Sequence, residues 1–205
     1  MLIHAFIHSV GAARGAAVQR GHLATCRLSR DAEAMTPPEP TLSIRPLRSG
    51  DLPAALAIQA ASYPAFLWED EAAFLSRLEI AASYCFAATR GDALIAYLLA
   101  HGWPREAPPP IGTLLPRRAG REVLFIHDLA VSAAGRGSGI GRRLVAMAFD
   151  RAAKDGLAVA ELIAVDGAAD YWRKLGFGEA PCSAALAAKV ASYGPAARWM
   201  TRAIT

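Results

Sequence analysis

The chain is poor in cysteine, in long apolar runs and in charge of one sign. Three cysteines in 205 residues, Cys26, Cys85 and Cys182, are an odd number at wide spacing. They form neither a disulfide framework nor a zinc site, and they suit a reducing compartment, the cytoplasm. No apolar stretch approaches the roughly 18–20 residues that a membrane span needs, so no membrane partner is expected. Against 22 Lys and Arg stand 18 Asp and Glu, a net charge of +4. Half of that excess sits before residue 35, where Arg14, Arg20, Arg27 and Arg30 face Asp31 and Glu33. The rest is too scattered for a nucleic-acid footprint. Three of the 5 histidines, His4, His8 and His22, lie in the same segment at no metal-ligand spacing, and no metal is expected. What the chain does have is apolar substance. At 54% hydrophobic and 20% charged it is not a disordered polymer. Its length suits one domain with a real core, with or without a tail.

Residues 1–40 read differently from the rest. Short apolar patches without period, several arginines and few acids are similar to an organelle-targeting segment. A disordered tail, or a start placed too early with Met35 as the true beginning, explains them more simply. The domain is therefore expected over 41–205.

From Leu42 to Leu47 apolar and polar residues alternate as in a half-buried strand. A helix is expected over Leu52–Ala61. Tyr63-Pro64 interrupts it, and a second helix should run from Glu69 to Ile80 with Phe74, Leu75 and Leu78 inward. Strands over Ser83–Thr89 and Ala93–His101 flank the turn Arg90-Gly91-Asp92 and predict a hairpin. Residues 102–120 contain five prolines and read as a long loop, of a length that usually has a function. Glu122–Val131 is the strongest strand. A helix should follow from Ile140 to Lys154, with Ile140, Leu144, Met147, Ala148 and Ala152 on its buried face and Gly156 as its left-handed stop. A strand over Leu157–Val165, a short helix over Gly167–Leu175 and a closing strand over Arg198–Ile204 complete the series. The class is mixed α/β (α+β).

Between the strongest strand and its helix lies Gly135-Arg136-Gly137-Ser138-Gly139-Ile140-Gly141-Arg142-Arg143. Clustered glycines there expose successive backbone N–H groups, and with the helix dipole behind them they favour a phosphate. A P-loop would need Lys after Gly141, where Arg142 stands. The dinucleotide pattern fails in both frames, at Ile140 from Gly135 and at Arg142 from Gly137. The spacing that fits is Arg-x-x-Gly-x-Gly, through Arg136, Gly139 and Gly141.

This spacing resembles the pyrophosphate-binding motif of the GNAT superfamily of acetyl-CoA-dependent N-acetyltransferases. Phe125–Val131, ending Leu-Ala-Val, resembles that family's central strand, and Tyr171–Phe177 its Tyr-x-x-Leu-Gly-Phe signature. His127-Asp128-Leu129-Ala130-Val131 and Ala61-Ser62-Tyr63-Pro64 are most similar to the arylalkylamine N-acetyltransferase branch. The resemblance implies a mixed central sheet of six or seven strands with helices on both faces. It implies acetyl-CoA as cosubstrate, with backbone contacts from Leu129, Ala130 and Val131 to the pantetheine arm. Arg136, Gly137, Ser138, Gly139, Ile140, Gly141 and Arg142 would hold the pyrophosphate.

Acetyl transfer to an alkylamine, whose pKa is near that of lysine at about 10.4, calls for a base. His127 is the first candidate. Strand alternation points it to the face of Phe125 and Leu129, and Asp128 to the opposite face, where Asp128 is a second catalytic candidate, relaying a proton through water, or an anchor for a neighbouring loop. An ordinary core histidine is the competing reading. In the arylalkylamine branch the matching strand carries histidines proposed to relay the proton, and Phe125 stands in place of one of them. The signature tyrosine, counted back from Leu175-Gly176-Phe177, falls on Trp172, which cannot act as an acid. Tyr171 and Tyr193 are the alternatives. The asparagine common at the start of that helix is missing, with Asp166 and Gly167 in its place. Tyr63, Phe66, Trp68 and Trp103 lie where the family shapes its acceptor pocket and suit an apolar amine. The expected activity is acetylation of a small primary amine by direct transfer. A protein amino-terminal or lysine acetyltransferase, or a non-catalytic acyl-CoA-binding module, are the alternatives, and the sequence allows a homodimer.

Overall fold

A computed structural model describes residues 41–165 and 167–205. The expected tail over 1–40 and Asp166 lie outside the described residues. Seven strands form one mixed sheet in the order β1-β2-β3-β4-β5-β7-β6. They are β1 (Leu42–Pro46), β2 (Phe86–Arg90), β3 (Ala93–Trp103), β4 (Val123–Val131), β5 (Val159–Ala164), β6 (Gly178–Glu179) and β7 (Arg198–Ala203). The helices are α1 (Leu52–Ser62), α2 (Glu71–Glu79), α3 (Ile140–Lys154), α4 (Ala169–Lys174) and α5 (Ala184–Ala191). Among the described residues no helix is long and apolar enough to cross a membrane.

Alternation along the strands sorts the helices onto two faces. Leu98, Leu124, Ile126, Leu129, Leu162 and Met200 pack with α3 and with Trp172 of α4. Tyr97, Leu99 and Ala130 meet α1 and α2, and Phe125, Ile163 and Trp199 meet α5. Fully buried aromatics such as Phe74 and Trp172 are worth about 3–5 kcal/mol each against alanine.

Local signals explain most boundaries. Pro53 sits in the first turn of α1, where no N–H is needed. The Asp70 carboxylate accepts from the Ala73 N–H at 2.8 Å and caps α2, so that helix starts two residues later than Glu69. Two expectations about buried faces are corrected. Met147 is exposed, and Val145 and Phe149 take its share of the buried face of α3. Leu75 and Leu78 are only half-buried on α2, whereas Arg77 is fully buried. The segment before β7 holds α5, capped by Ser183, whose hydroxyl accepts from Leu186 N–H.

Two features of the sheet shape the site. The β3–β4 register slips between Leu99 and Ala100: Leu99 faces Asp128 and Ala100 faces Ile126, which leaves His127 as an extra residue in β4. This bulge puts two consecutive side chains on one face. The expectation that His127 shares a face with Leu129, and that Asp128 points the other way, is thereby overturned. His127 and Asp128 both project toward α1 and α2, and Leu129 lies on the α3 side. Secondly, the parallel pairing of β4 with β5 is confined to Leu124↔Ala160 and Phe125↔Glu161. Beyond these the strands diverge into a notch that leads to the glycine turn.

Candidate active site

At the end of the notch, Val131, Gly135, Arg136, Gly137, Gly139, Ile140, Gly141, Arg142 and Tyr171 line one pocket. Gly137 and Gly139 have φ of 74° and 72°, a left-handed conformation that favours glycine, and Gly139 is the N-cap of α3. The N–H groups of Gly137, Gly139, Ile140, Gly141 and Arg142 make no backbone hydrogen bond. A side chain on Gly141 would place its Cβ 2.6 Å from the Tyr171 hydroxyl, so the glycine keeps helix and tyrosine close. Free N–H donors at a helix start, flanked by Arg136 and Arg142, fit a pyrophosphate. Ser138 lies outside the lining and turns its hydroxyl to the Gly135 carbonyl. Leu129 would touch a Cβ on Gly141, while Ala130 is buried on the α1 face.

The other part of the site is a buried polar cluster. His127 Nε2 lies 2.6 Å from Glu69 Oε2. The second carboxylate oxygen of Glu69 accepts from Arg77 at 2.8 Å and from the Gly112 N–H at 2.6 Å. Arg77 also donates to the Thr113 carbonyl at 2.8 Å, and the Ser76 hydroxyl accepts from Leu115 N–H. These bonds fasten the loop over 112–115 to α2. Burial pushes the Glu69 carboxyl up, but the imidazole, Arg77 and the Gly112 N–H together outweigh it and hold it at about 2. Burial lowers His127, against the pull of Glu69. The carboxylate can only accept, so Nε2 donates and the neutral ring keeps its lone pair on Nδ1. Nδ1 is buried and has no hydrogen-bond partner.

Beside it stands a second imidazole. His101 of β3 pairs in register with Phe125, and its ring centroid is 6.1 Å from that of His127. Burial holds its pKa well below the ordinary value, and its Nε2 is unpartnered. Asp128 is committed differently. Its two oxygens accept from Tyr63 and Tyr97 hydroxyls, each at 2.6 Å. Burial raises its carboxyl to about 7 even though both hydroxyls oppose the shift.

The candidate aromatics separate. Phe66 and Trp68 are exposed, at 63% and 47%, beside Glu69. Tyr63 is buried, and its hydroxyl holds Asp128 and reaches the Leu129 carbonyl. Trp103 packs edge-on against His101. Trp172 is buried against Phe177, and the turn of the helix brings Tyr171, not Trp172, to the glycine turn. Tyr171 and Tyr193 both keep a buried hydroxyl without a partner, and burial raises each to about 12. They lie apart: Tyr193 packs with Phe125, where the Glu69 charge reaches it. Among the described residues no group of three or more His, Cys, Asp or Glu is gathered as a metal site. Glu69, Arg77 and His101 escaped the sequence reading. Their only signal was an acid and an arginine in the helix expected over Glu69–Ile80 and a histidine at the end of the strand expected over Ala93–His101.

A family model described as "Acetyltransferase (GNAT) family" matches residues 52–177. No curated protein gives a significant match. Among solved structures, the chain is similar to the ribosomal-protein-S18-alanine N-acetyltransferase of Escherichia coli, at 21% identity and a TM-score of 0.58 over 80% of this chain and 95% of that one. It is similar to N-acetylglutamate synthase of Neisseria gonorrhoeae, complexed with coenzyme A and N-acetyl-glutamate, at 17% identity and 0.62 over 80% of this chain and 35% of that one. An aminoglycoside 6'-N-acetyltransferase complexed with coenzyme A gives 14% and 0.60, over 80% and 97% of the two chains. At such identities these structures establish the fold.

Proposed function

Because the chain belongs to the GNAT acetyltransferase family, and is an acetyl-CoA-dependent N-acetyltransferase, we propose that its acceptor is a primary amine on a small apolar molecule and that His127 takes the amine proton. The observation that carries this is the buried, unpartnered Nδ1 of a neutral His127, whose other nitrogen is held by Glu69, the residue that follows the exposed segment of Phe66 and Trp68. The similarity of His127–Val131 to the arylalkylamine branch points the same way.

Acetyl-CoA supplies the acetyl group, which passes from thioester sulfur to amine nitrogen. The free N–H groups of Gly137, Gly139, Ile140, Gly141 and Arg142 bind the pyrophosphate, with Arg136 and Arg142 adding charge, and the backbone of Leu129–Val131 lines the notch for the arm. Phe66 and Trp68 cover the apolar part of the amine and exclude water from it. His127 Nδ1 accepts a proton from the amine, which is mostly protonated at pH 7. Low basicity in the resting imidazole keeps it ready to accept at neutral pH. Tyr171, holding its proton at neutral pH, is a donor at the cosubstrate end, and Tyr193 is one at the acceptor end. Asp128 is an anchor for Tyr63 and Tyr97. Transfer is direct: the Cys85 thiol is buried and turned to the Arg77 and Ala100 carbonyls, the Cys182 thiol is turned to the Ala180 carbonyl, and burial pushes both up.

Free-thiol release from acetyl-CoA, measured across arylalkylamines, polyamines, amino acids and short peptides, tests the reading. Turnover confined to apolar amines is expected. Turnover confined to peptides would replace it with protein amino-terminal acetylation, and binding without thiol release with an acyl-CoA-binding module.

A further inference from the structure

We infer that Glu69 is a positioning residue that sets the tautomer of His127, leaving the Nδ1 lone pair free to receive the proton. This rests on the reading of His127 as the base. Glu69 precedes α2, 58 positions from its partner in sequence. Its Oε1 is occupied by two donors, Arg77 and the Gly112 N–H. Both demand an acceptor at that atom, so the carboxylate cannot turn without losing them. Oε2 is thereby fixed toward Nε2, and as it too can only accept, Nε2 must carry the hydrogen. The three bonds form one chain from the loop over 112–113, through Glu69, to the imidazole. Arg77 is fully buried, and its charge is offset by Glu69 at 2.8 Å, which keeps the carboxylate ionised without drawing a proton from the histidine.

Glu69→Gln isolates this role because it preserves size and breaks the symmetry of the two oxygens. Arg77 and Gly112 select the amide oxygen, which leaves the –NH₂ group facing Nε2. The imidazole must then accept at Nε2 and carry its hydrogen on Nδ1, so the lone pair is lost from the acceptor side. Glu69→Asp keeps two acceptor oxygens on a shorter arm and should restore part of the activity.

The test combines nitrogen-15 NMR of histidine side chains in the full-length protein with steady-state kinetics, using His127→Gln to identify the His127 signals. The wild type should show the Nε2–H tautomer. Glu69→Gln should show the Nδ1–H tautomer and lose about 10²–10⁴-fold in kcat, with acetyl-CoA affinity measured by calorimetry little changed. A wild-type Nδ1–H tautomer overturns the inference without any Glu69 variant, so it stays testable should Glu69→Gln not fold. A Glu69→Gln protein that keeps Nε2–H, or keeps wild-type kcat while His127→Gln is inactive, also overturns it. If His127→Gln itself turns over normally, the assignment of the base fails instead.

Discussion

The imidazole of His127 meets the carboxylate of Glu69 at 2.6 Å with both side chains almost fully buried, at 1% and 4% exposure. Burying two such groups costs several kcal/mol unless their remaining atoms are satisfied. Arg77 and the Gly112 N–H satisfy Glu69, so within this pair the unmet demand falls on one atom, His127 Nδ1.

That atom is the first thing to remove. His127→Gln should lower kcat by about 10²–10⁴-fold at neutral pH and leave acetyl-CoA affinity nearly intact. The loss should shrink as the pH approaches the amine pKa, near 10.4 for an alkylamine. A pH–rate profile parallel to that of the wild type would assign His127 to packing.

Asp128 gives the folded protein a pH dependence of its own. Its carboxyl rises from 3.8 unfolded to about 7 folded. The folded state therefore holds the proton more tightly, and this group's stabilising contribution is full below pH 4 and lost as the pH climbs to 7. Three units correspond to roughly 4 kcal/mol at most. Asp128→Asn should remove that slope, at a cost of about 1–3 kcal/mol for the mispaired tyrosine hydroxyls. Urea melts at several pH values between 4 and 8 check it.

Glu69 acts with the opposite sign. Held at about 2 against 4.5 when free, it stabilises the fold above pH 4.5 and the contribution disappears as the pH falls toward 2. Acid unfolding of Glu69→Gln should lack this component and begin from a lower neutral-pH stability.

Gly139→Glu should abolish acetyl-CoA binding. The position has φ of 72°, which a side chain adopts only under strain, and a carboxylate there repels a phosphate. Calorimetry reads the outcome directly, and Gly50→Ala, with nothing within 4 Å of its Cβ, is the silent control.

Phe66 and Trp68 are exposed, so truncating either should leave the melting temperature within a few degrees of the wild type. If they cover an apolar amine, Phe66→Ala should raise its KM by about tenfold with kcat little altered, in line with 1–3 kcal/mol for lost apolar contact. Equal losses with polar and apolar acceptors would remove them from the acceptor pocket.

Tyr171→Phe and Tyr193→Phe separate the two free hydroxyls. A tyrosine that protonates the departing thiolate should matter most at high pH, where solvent protons are scarce. Only the Tyr171 variant should also alter acetyl-CoA affinity, because only Tyr171 touches the glycine turn.

Features encoded by neighbours in sequence were legible in it. The glycine turn, β4 and α3 follow one another along the chain, and their chemistry is local. The orientation of His127 and Asp128 was not legible, because a bulge is a relation between β4 and its partner β3 and leaves no mark on β4 alone. Glu69 and Arg77 were hidden for a similar reason. An acid before a helix and an arginine on it read as solvated charges until the fold buries them against His127 and the loop over 112–115. α5 had its signal in Ser183 followed by Leu186 and Val190, but an alanine-rich stretch after a proline gave it little contrast.

The parting of β4 from β5 after Phe125 and Glu161 has a consequence for how the enzyme survives heat. A sheet that opens in its middle has forgone ladder bonds at its centre, where a globular protein most depends on them. An amide-bearing pantetheine arm held there would supply backbone-like partners to the unpaired edge of β4. The protein's thermal tolerance is then tied to the acetyl-CoA pool: at a hundred times the dissociation constant, ligation adds about 2.7 kcal/mol. Scarcity of the acetyl donor would thus shorten the lifetime of the enzyme as well as slow it.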